Sequence, residues 1–368
     1  MIANPPTLGV LVNAALLVVL AGFLMIVGKP VLLPVLAAVI AVYVLVNASE
    51  ALGRLPLIKV FPAALRRVLV LMIFAAAVFA LAGVVVDTIS SILREAHTYQ
   101  VNIERLVAQV ADALGVDERP DWQAIRAATF DRLSVQQIIN AALLNVTSVG
   151  ASLFLVIMYS AFLLTERVNF AAKLSAAMKT PGDAERTEAI IRDINGRIGD
   201  YLAIKTLINL ILGVLSFAIL WALDIDFPLF WALLIGLLNY IPYFGSLVAV
   251  AFPVLMSILQ FGNLAWTLLL LILLTAAQVL MGNILEPRLI GRRVNLSPFV
   301  VLVSLAVWSA LWGLPGALLA VPLTSMLTIV LSAFEPTRPF AVLMADRVLG
   351  DRPVGDRPVA QTEKGTAR

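Results

Sequence analysis

Two apolar stretches, residues 228–260 and 298–333, fit neither one membrane crossing nor two, and this narrows the possible folds more than any other feature. A helix needs roughly 20 apolar residues to cross the hydrocarbon core. The stretches are 33 and 36 residues long. Each breaks near its middle, at Ile241-Pro242-Tyr243-Phe244-Gly245 and at Gly313-Leu314-Pro315-Gly316. Two arms of about 15 residues would each reach only ~22 Å, short of a ~30 Å core. The pattern therefore predicts two re-entrant hairpins whose tips, at Pro242, Gly245, Gly313, Pro315 and Gly316, turn inside the bilayer near its midplane. Irregular backbone at that depth is tolerated where it is buried in protein or lines a wet cavity. Paired Gly/Pro-broken segments are also the main sequence pointer to a transporter's binding site.

Composition agrees with a membrane solvent. The chain is 61% hydrophobic and only 13% charged, against about 25% charged residues in soluble domains. A net charge of +3 with dispersed bases gives a nucleic acid nothing to bind. The absence of cysteine excludes disulfides, thiol catalysis and thiolate metal sites. The first apolar run, 8–28, has no Lys or Arg before Lys29 and is too long for a signal-peptide core, so it reads as a retained helix.

The expected fold is an all-α polytopic membrane protein. Full spans fall at 8–28, 30–48, 68–88, 143–164, 201–223 and 264–283, and the two broken hairpins complete a C-terminal inverted repeat. Segments 49–67, 165–199, 284–297 and 334–368 together hold 19 of the 26 Lys and Arg residues. One topology puts all four, and both termini, in the cytoplasm. It requires 228–260 to enter and leave from outside and 298–333 from inside. The chain then divides into three N-terminal spans (1–88), an extracytoplasmic helical segment (89–142) and a fourth span with a cytoplasmic amphipathic segment (143–199). A transport core (200–334) follows, with inverted units 200–260 and 264–334, and a polar cytoplasmic tail (335–368). The tips align as Gly245 before Pro253 and Gly313 before Pro322. Outside, the third span continues as an amphipathic helix, Arg119-Pro120-Asp121 turns the chain, and a second helix starts near Trp122. Inside, Thr180-Pro181-Gly182-Asp183 opens a helix to about Arg197. The tail loses order from about Gly350.

Catalytic signals are sparse. His97 is the only histidine and falls in the polar outer segment, so neither a histidine-rich metal site nor histidine catalysis has material to build on. No phosphate-binding G-x-x-x-x-G-K-[ST] pattern occurs, and no cofactor is implied. What remains are polar residues within apolar spans: Lys205 and Asn209 in the fifth span, Asn239 and Tyr240 before the first tip, and Gln278 and Asn283 in the sixth span. Lys205 either snorkels toward Asp200 at the interface or faces a polar cavity. Each amide either bonds a neighbouring helix or lines a binding site. Glu286 sits beside Arg288, with which it would form a surface pair.

These residues form an ordered set: Ile241–Gly245, Asn283, Glu286-Pro287-Arg288, Gly291, Pro298, then Trp312-Gly-Leu-Pro-Gly through Leu323. In that order they closely resemble the autoinducer-2 exporter family of bacterial inner-membrane permeases, over nearly the whole chain in layout. Family members commonly place proline after the first tip glycine, where this chain has Ser246. The resemblance implies a homo-oligomeric exporter without ATPase activity, whose partners are the lipid bilayer, a small polar solute and a coupling ion. Its members have been linked to autoinducer-2 and to sodium/proton exchange. The leading expectation is a secondary transporter exporting a small polar solute such as autoinducer-2. A cation/proton antiporter using Lys205 and Glu286 is the alternative, weakened because no Asp or Glu lies deep in a span. A non-transporting membrane scaffold would leave both broken hairpins without a purpose.

Overall fold

The computed structural model describes residues 8–54, 61–114, 150–166, 173, 176–177, 181–290 and 295–346. All regular structure among them is helical. In chain order the helices are α1 (Leu8–Val27), α2 (Lys29–Leu52), α3 (Ala63–Leu114), α4 (Gly150–Glu166), α5 (Pro181–Ala222), α6 (Pro228–Leu238), α7 (Phe244–Phe261) and α8 (Leu264–Val279). A π turn (Leu280–Leu285) then leads to α9 (Glu286–Ile290), α10 (Pro298–Trp312), α11 (Leu314–Ala333) and α12 (Arg338–Met344). The expected turn at 119–121, the second outer helix, the start of the fourth span, Thr180, Gly291 and the tail from 347 onward lie outside the described residues.

Six helical stretches are long and apolar enough to cross a bilayer: Lys29–Leu52, Ala63–Ile92, Ala184–Ala222, Phe244–Phe261, Leu264–Leu289 and Leu314–Ala333. Their flanks are rich in exposed large apolar side chains, such as Met72, Leu210, Trp221 and Leu247, as a hydrocarbon solvent allows. The chain is an all-α polytopic membrane protein. Four of the six stretches coincide with expected full spans, whereas two are the second arms of the broken segments. The arms are unequal, because the breaks fall early: 11 and 18 residues in the first segment, 15 and 20 in the second. This corrects the equal arms of about 15 residues that the sequence suggests. The longer arms reach ~27 and ~30 Å.

Three further elements differ from the sequence reading. The amphipathic segment after Pro181 and the fifth span form one unbroken 42-residue helix, α5. Its stretch Arg192–Lys205 contains no proline to stop propagation, and isolated glycines are tolerated in helices. The tail contains a short helix, α12, which packs on α11 and whose Met344 carbonyl accepts from the Ser297 amide at 3.0 Å. The sixth span ends in the π turn, where the Glu286 amide bonds five residues back to Met281. Pro287 explains this turn. Its ring offers no N–H and crowds the carbonyl four residues back, and a widened turn relieves both problems.

The principal core lies among α5, α6, α7 and α8. Ile208, Leu212, Trp231, Ile235, Ala249, Leu270 and Leu274 are all buried there, with Tyr99 from α3 and Ala317 from α11 joining its edge. A second core joins Ile198 and Leu202 of α5 to Val321 of α11, and a third joins α2 to α3 and α4 through Val46, Val70 and Leu164.

Candidate functional site

The first broken segment returns to where it began. Gln260, at the end of α7, donates to the Asp224 carbonyl at 2.7 Å and accepts from the Asp226 amide at 2.9 Å, closing the base. Asp224 and Phe227, in the linker before α6, both adopt positive φ (55° and 57°). Non-glycine residues rarely take that conformation. Asn102 of the α3 extension clamps the same base by donating to the carbonyls of Leu259 and Gln260. In the second segment, Ser297 before α10 and Thr328 near the end of α11 both meet Met344, so its ends are also joined.

The two tips share a construction. A Cβ added at Gly245 would overlap the Leu238 carbonyl, with its carbon at 2.8 Å and Ile241 Cβ at 3.2 Å. One added at Gly316 would overlap the Trp308 carbonyl, with its carbon at 2.7 Å and Trp312 Cβ at 3.1 Å. Each glycine thus lets the second arm start directly against the first arm's backbone. This geometry pairs Gly245 with Gly316, not with Gly313 as sequence spacing suggests. Gly313 instead turns the chain, at φ 69°, ψ −145°, a region essentially restricted to glycine. The tips rest on different neighbours. Trp312 of the second donates to the Met25 carbonyl of α1 at 3.0 Å, while the first tip is bonded to α5.

On α5, Tyr201, Lys205 and Asn209 recur every four residues and share one face. Lys205 is almost fully buried, and its Nζ contacts both Glu286 carboxylate oxygens at 2.7 and 2.8 Å. The π turn sets the rotation that aims Glu286 at α5, because the extra residue per turn shifts every later side chain around the axis. One position on, the Thr206 hydroxyl meets the Tyr240 hydroxyl at 2.7 Å. One turn on, Asn239 Nδ2 donates to Asn209 Oδ1 at 2.7 Å. Thr206 lies sixteen positions before Ala222 in α5, so the first tip meets that helix ~24 Å from its end. The buried Nδ2 of Asn209 lies beside the Tyr240 hydroxyl without a hydrogen bond of good geometry, and the buried Nε2 of Gln278 in the last turn of α8 has no hydrogen-bond partner.

Four candidates from the sequence (Lys205, Asn209, Asn239 and Tyr240) are thus brought together, joined by Glu286 of the cytoplasmic motif. Gln278 carries an orphan donor on the neighbouring helix α8. Asn283 does not join them; it is exposed on the π turn, as are Pro287 and Arg288 on α9. Pro242 lies at the first tip and Pro315 opens α11. Glu286 pairs with Lys205 and not with Arg288. Thr206 and Tyr201 were not singled out as site residues, although Tyr201 is buried beside Glu286 and Tyr240. The four-residue spacing with Lys205 and Asn209 is the sequence signal for Tyr201, and Thr206 has none beyond its place next to Lys205. Among the described residues, no group of His, Asp and Glu side chains is arranged to hold a metal.

Residues 14–335 match the family described as AI-2E family transporter. A Haemophilus influenzae protein with the provisional name of transport protein is 31% identical over 84% of this chain and 91% of its own length. The AI-2 transport protein TqsA of Escherichia coli K12 is 34% identical over 66% of this chain and 68% of its own. A Borreliella burgdorferi protein, also provisionally named as a transport protein, is 39% identical over 53% of this chain, which spans 54% of that relative. Together with the six membrane-length helices, this marks a multi-pass permease of the bacterial inner membrane. The chain belongs to the AI-2E transporter family.

Proposed function

We propose that this chain is a secondary transporter that exports a small polar solute, with autoinducer-2 the first candidate, past the polar row between α5 and the first hairpin tip. One observation carries the reading. A hydrogen-bonded pair of asparagines is set in the apolar core at a backbone break, and the buried Asn209 Nδ2, beside the Tyr240 hydroxyl, makes no hydrogen bond of good geometry. An unmet buried donor costs ~1–3 kcal/mol, and an oxygen-bearing solute passing the tip would recover it. The name of the Escherichia coli relative adds support for autoinducer-2. In this reading both broken segments are re-entrant, the first from outside and the second from the cytoplasm, and the termini are cytoplasmic. The charge distribution over 49–67, 165–199, 284–297 and 334–368 favours that orientation. The chain assembles as a homo-oligomer.

Reconstitution in proteoliposomes tests it. Autoinducer-2 flux that depends on Asn209 and Asn239 is expected, and its sensitivity to imposed sodium or proton gradients would identify the coupling ion. Equal flux in liposomes with and without the protein would reject autoinducer-2 as the solute.

The buried Lys205–Glu286 pair favours a second reading, a cation/proton antiporter in which cation and proton compete for Glu286. A gradient-driven cation flux that survives Asn239→Ala and vanishes in Glu286→Gln would select it.

A further inference from the structure

Away from the polar row, a cleft of about 250 Å³ opens where the last turn of α2, the first turn of α3 and the end of α4 converge. Its wall includes Ser49, Glu50, Ala63, Arg66, Arg67 and Leu164. Two arginines line it against one carboxylate, and Glu50 forms no salt bridge with either. Among the described residues neither guanidinium makes a hydrogen bond or an ion pair, and Arg66 Nε is buried without a partner. Arg66 packs against Gly53 at the C-terminus of α2, a place where a cation is favoured, yet no carbonyl there accepts from it. Burying a guanidinium nitrogen without an acceptor is costly, so the arrangement asks for an anion. Ala63, the first residue of α3, also lines the cleft, and a helix N-terminus favours the same charge.

We infer that this cleft binds the phosphate of an anionic phospholipid, held by Arg66 and Arg67. Its volume suits a phosphate headgroup rather than a drug-sized ligand, whose pockets run to ~300–1,000 Å³. Lipid is favoured over a free phosphate by what adjoins the cleft. Val68, Leu69 and Met72 of α3 expose their side chains on the turns that follow the arginines, as does Leu65 just before them, an apolar track for acyl chains beside the headgroup. Basic pockets between spans on the cytoplasmic side suit such lipids, and segment 49–67 is one of the base-rich segments.

The test is thermal unfolding of the full chain in neutral detergent, titrated with phosphatidylglycerol, with phosphatidylcholine, and with inorganic phosphate. Phosphatidylglycerol alone should raise the midpoint of the wild type. With two arginines each contributing near the membrane surface, Arg66→Gln with Arg67→Gln should weaken its apparent affinity roughly thirtyfold. Ala63→Trp, which fills the cleft and keeps both charges, should weaken it as well. That variant keeps the question answerable if the double variant does not fold. A wild-type phosphatidylglycerol response in either variant overturns the site. Equal stabilisation of the wild type by inorganic phosphate overturns lipid as its ligand.

Discussion

Lys205 and Glu286, 81 residues apart in sequence, face each other so that the ammonium contacts both carboxylate oxygens. Lys205 is 5% exposed at the side chain and Glu286 26%, so the pair is buried at one end and reachable at the other. Removing one partner of such a pair leaves the other charge uncompensated, at ~3–5 kcal/mol when both are buried. The access at Glu286 lowers this, and Glu286→Gln should destabilise the fold by ~2–3 kcal/mol. Lys205→Met combined with Glu286→Gln should recover most of the loss. Thermal unfolding of the two single variants and the double checks this, since additive losses would mean that the two side chains do not act as a pair.

The matched contacts of Gly245 and Gly316 predict matched penalties. A methyl at either position meets a backbone carbonyl, which cannot rotate away as a side chain can, so the arms must separate. Alanine should cost ~1–3 kcal/mol at each site. Valine should sharply reduce transport while membrane insertion persists. Alanine at Gly83, where nothing lies within 4 Å of the added carbon, is the control and should be neutral or slightly stabilising. Unfolding midpoints and flux for these variants would expose any asymmetry between the tips.

Much of this was legible because it is local. Proline and glycine within apolar runs mark the two breaks, and the periodic apolar residues beyond the third span predict the continuous helix α3. The unequal arms follow from where the breaks fall, but similar spacing of Gly245 and Gly313 from later prolines pointed to the wrong glycine pair. Only the carbonyl beneath each Cα identifies Gly316. The partner of Lys205 was not legible either. It depends on a π turn induced by Pro287, which rotates Glu286 toward a helix eighty residues earlier in the chain. The bond from Trp312 to the Met25 carbonyl is beyond any sequence pattern, because it joins a tip to the far end of α1.

At the base of the first hairpin, outside the spans, Tyr99 lies 3.0 Å from carboxylate oxygens of both Glu95 and Asp226. One phenolic proton cannot satisfy two carboxylates. Burial raises the Asp226 carboxyl above its ordinary range, the Tyr99 hydrogen bond opposes this, and the charges of Glu95 and Asp224 add to the rise. A carboxyl with a raised folded-state pKa binds its proton more tightly folded than unfolded. Its contribution is therefore present below the unfolded value near 4 and is lost as pH rises through the folded value. Stability should fall over that window in the wild type and fall less in Asp226→Asn. Unfolding midpoints measured at intervals from pH 4 to 7 would show it, and identical slopes would remove Asp226 as the cause.

The asparagine pair gives the sharpest test of how a solute is held. Asn239→Ala leaves the Asn209 oxygen unpaired in the core, whereas Tyr240→Phe leaves Thr206 its second bond, to the Leu202 carbonyl at 2.7 Å. Asn239→Ala should therefore cost ~1–3 kcal/mol of stability or binding, and Tyr240→Phe less. If the solute is held by Asn209 and the backbone dipoles of the tip, Asn239→Ala should also raise the half-saturating solute concentration about tenfold, by the same energy. Asn239→Asp distinguishes the two effects. A carboxylate cannot donate to Asn209 Oδ1, but it offers Nδ2 of the same amide an acceptor, so it should restore stability in part while placing charge in the path of a neutral solute. Flux measured against solute concentration in the three variants reads this directly, and unchanged half-saturation in all of them would move the solute away from the first tip.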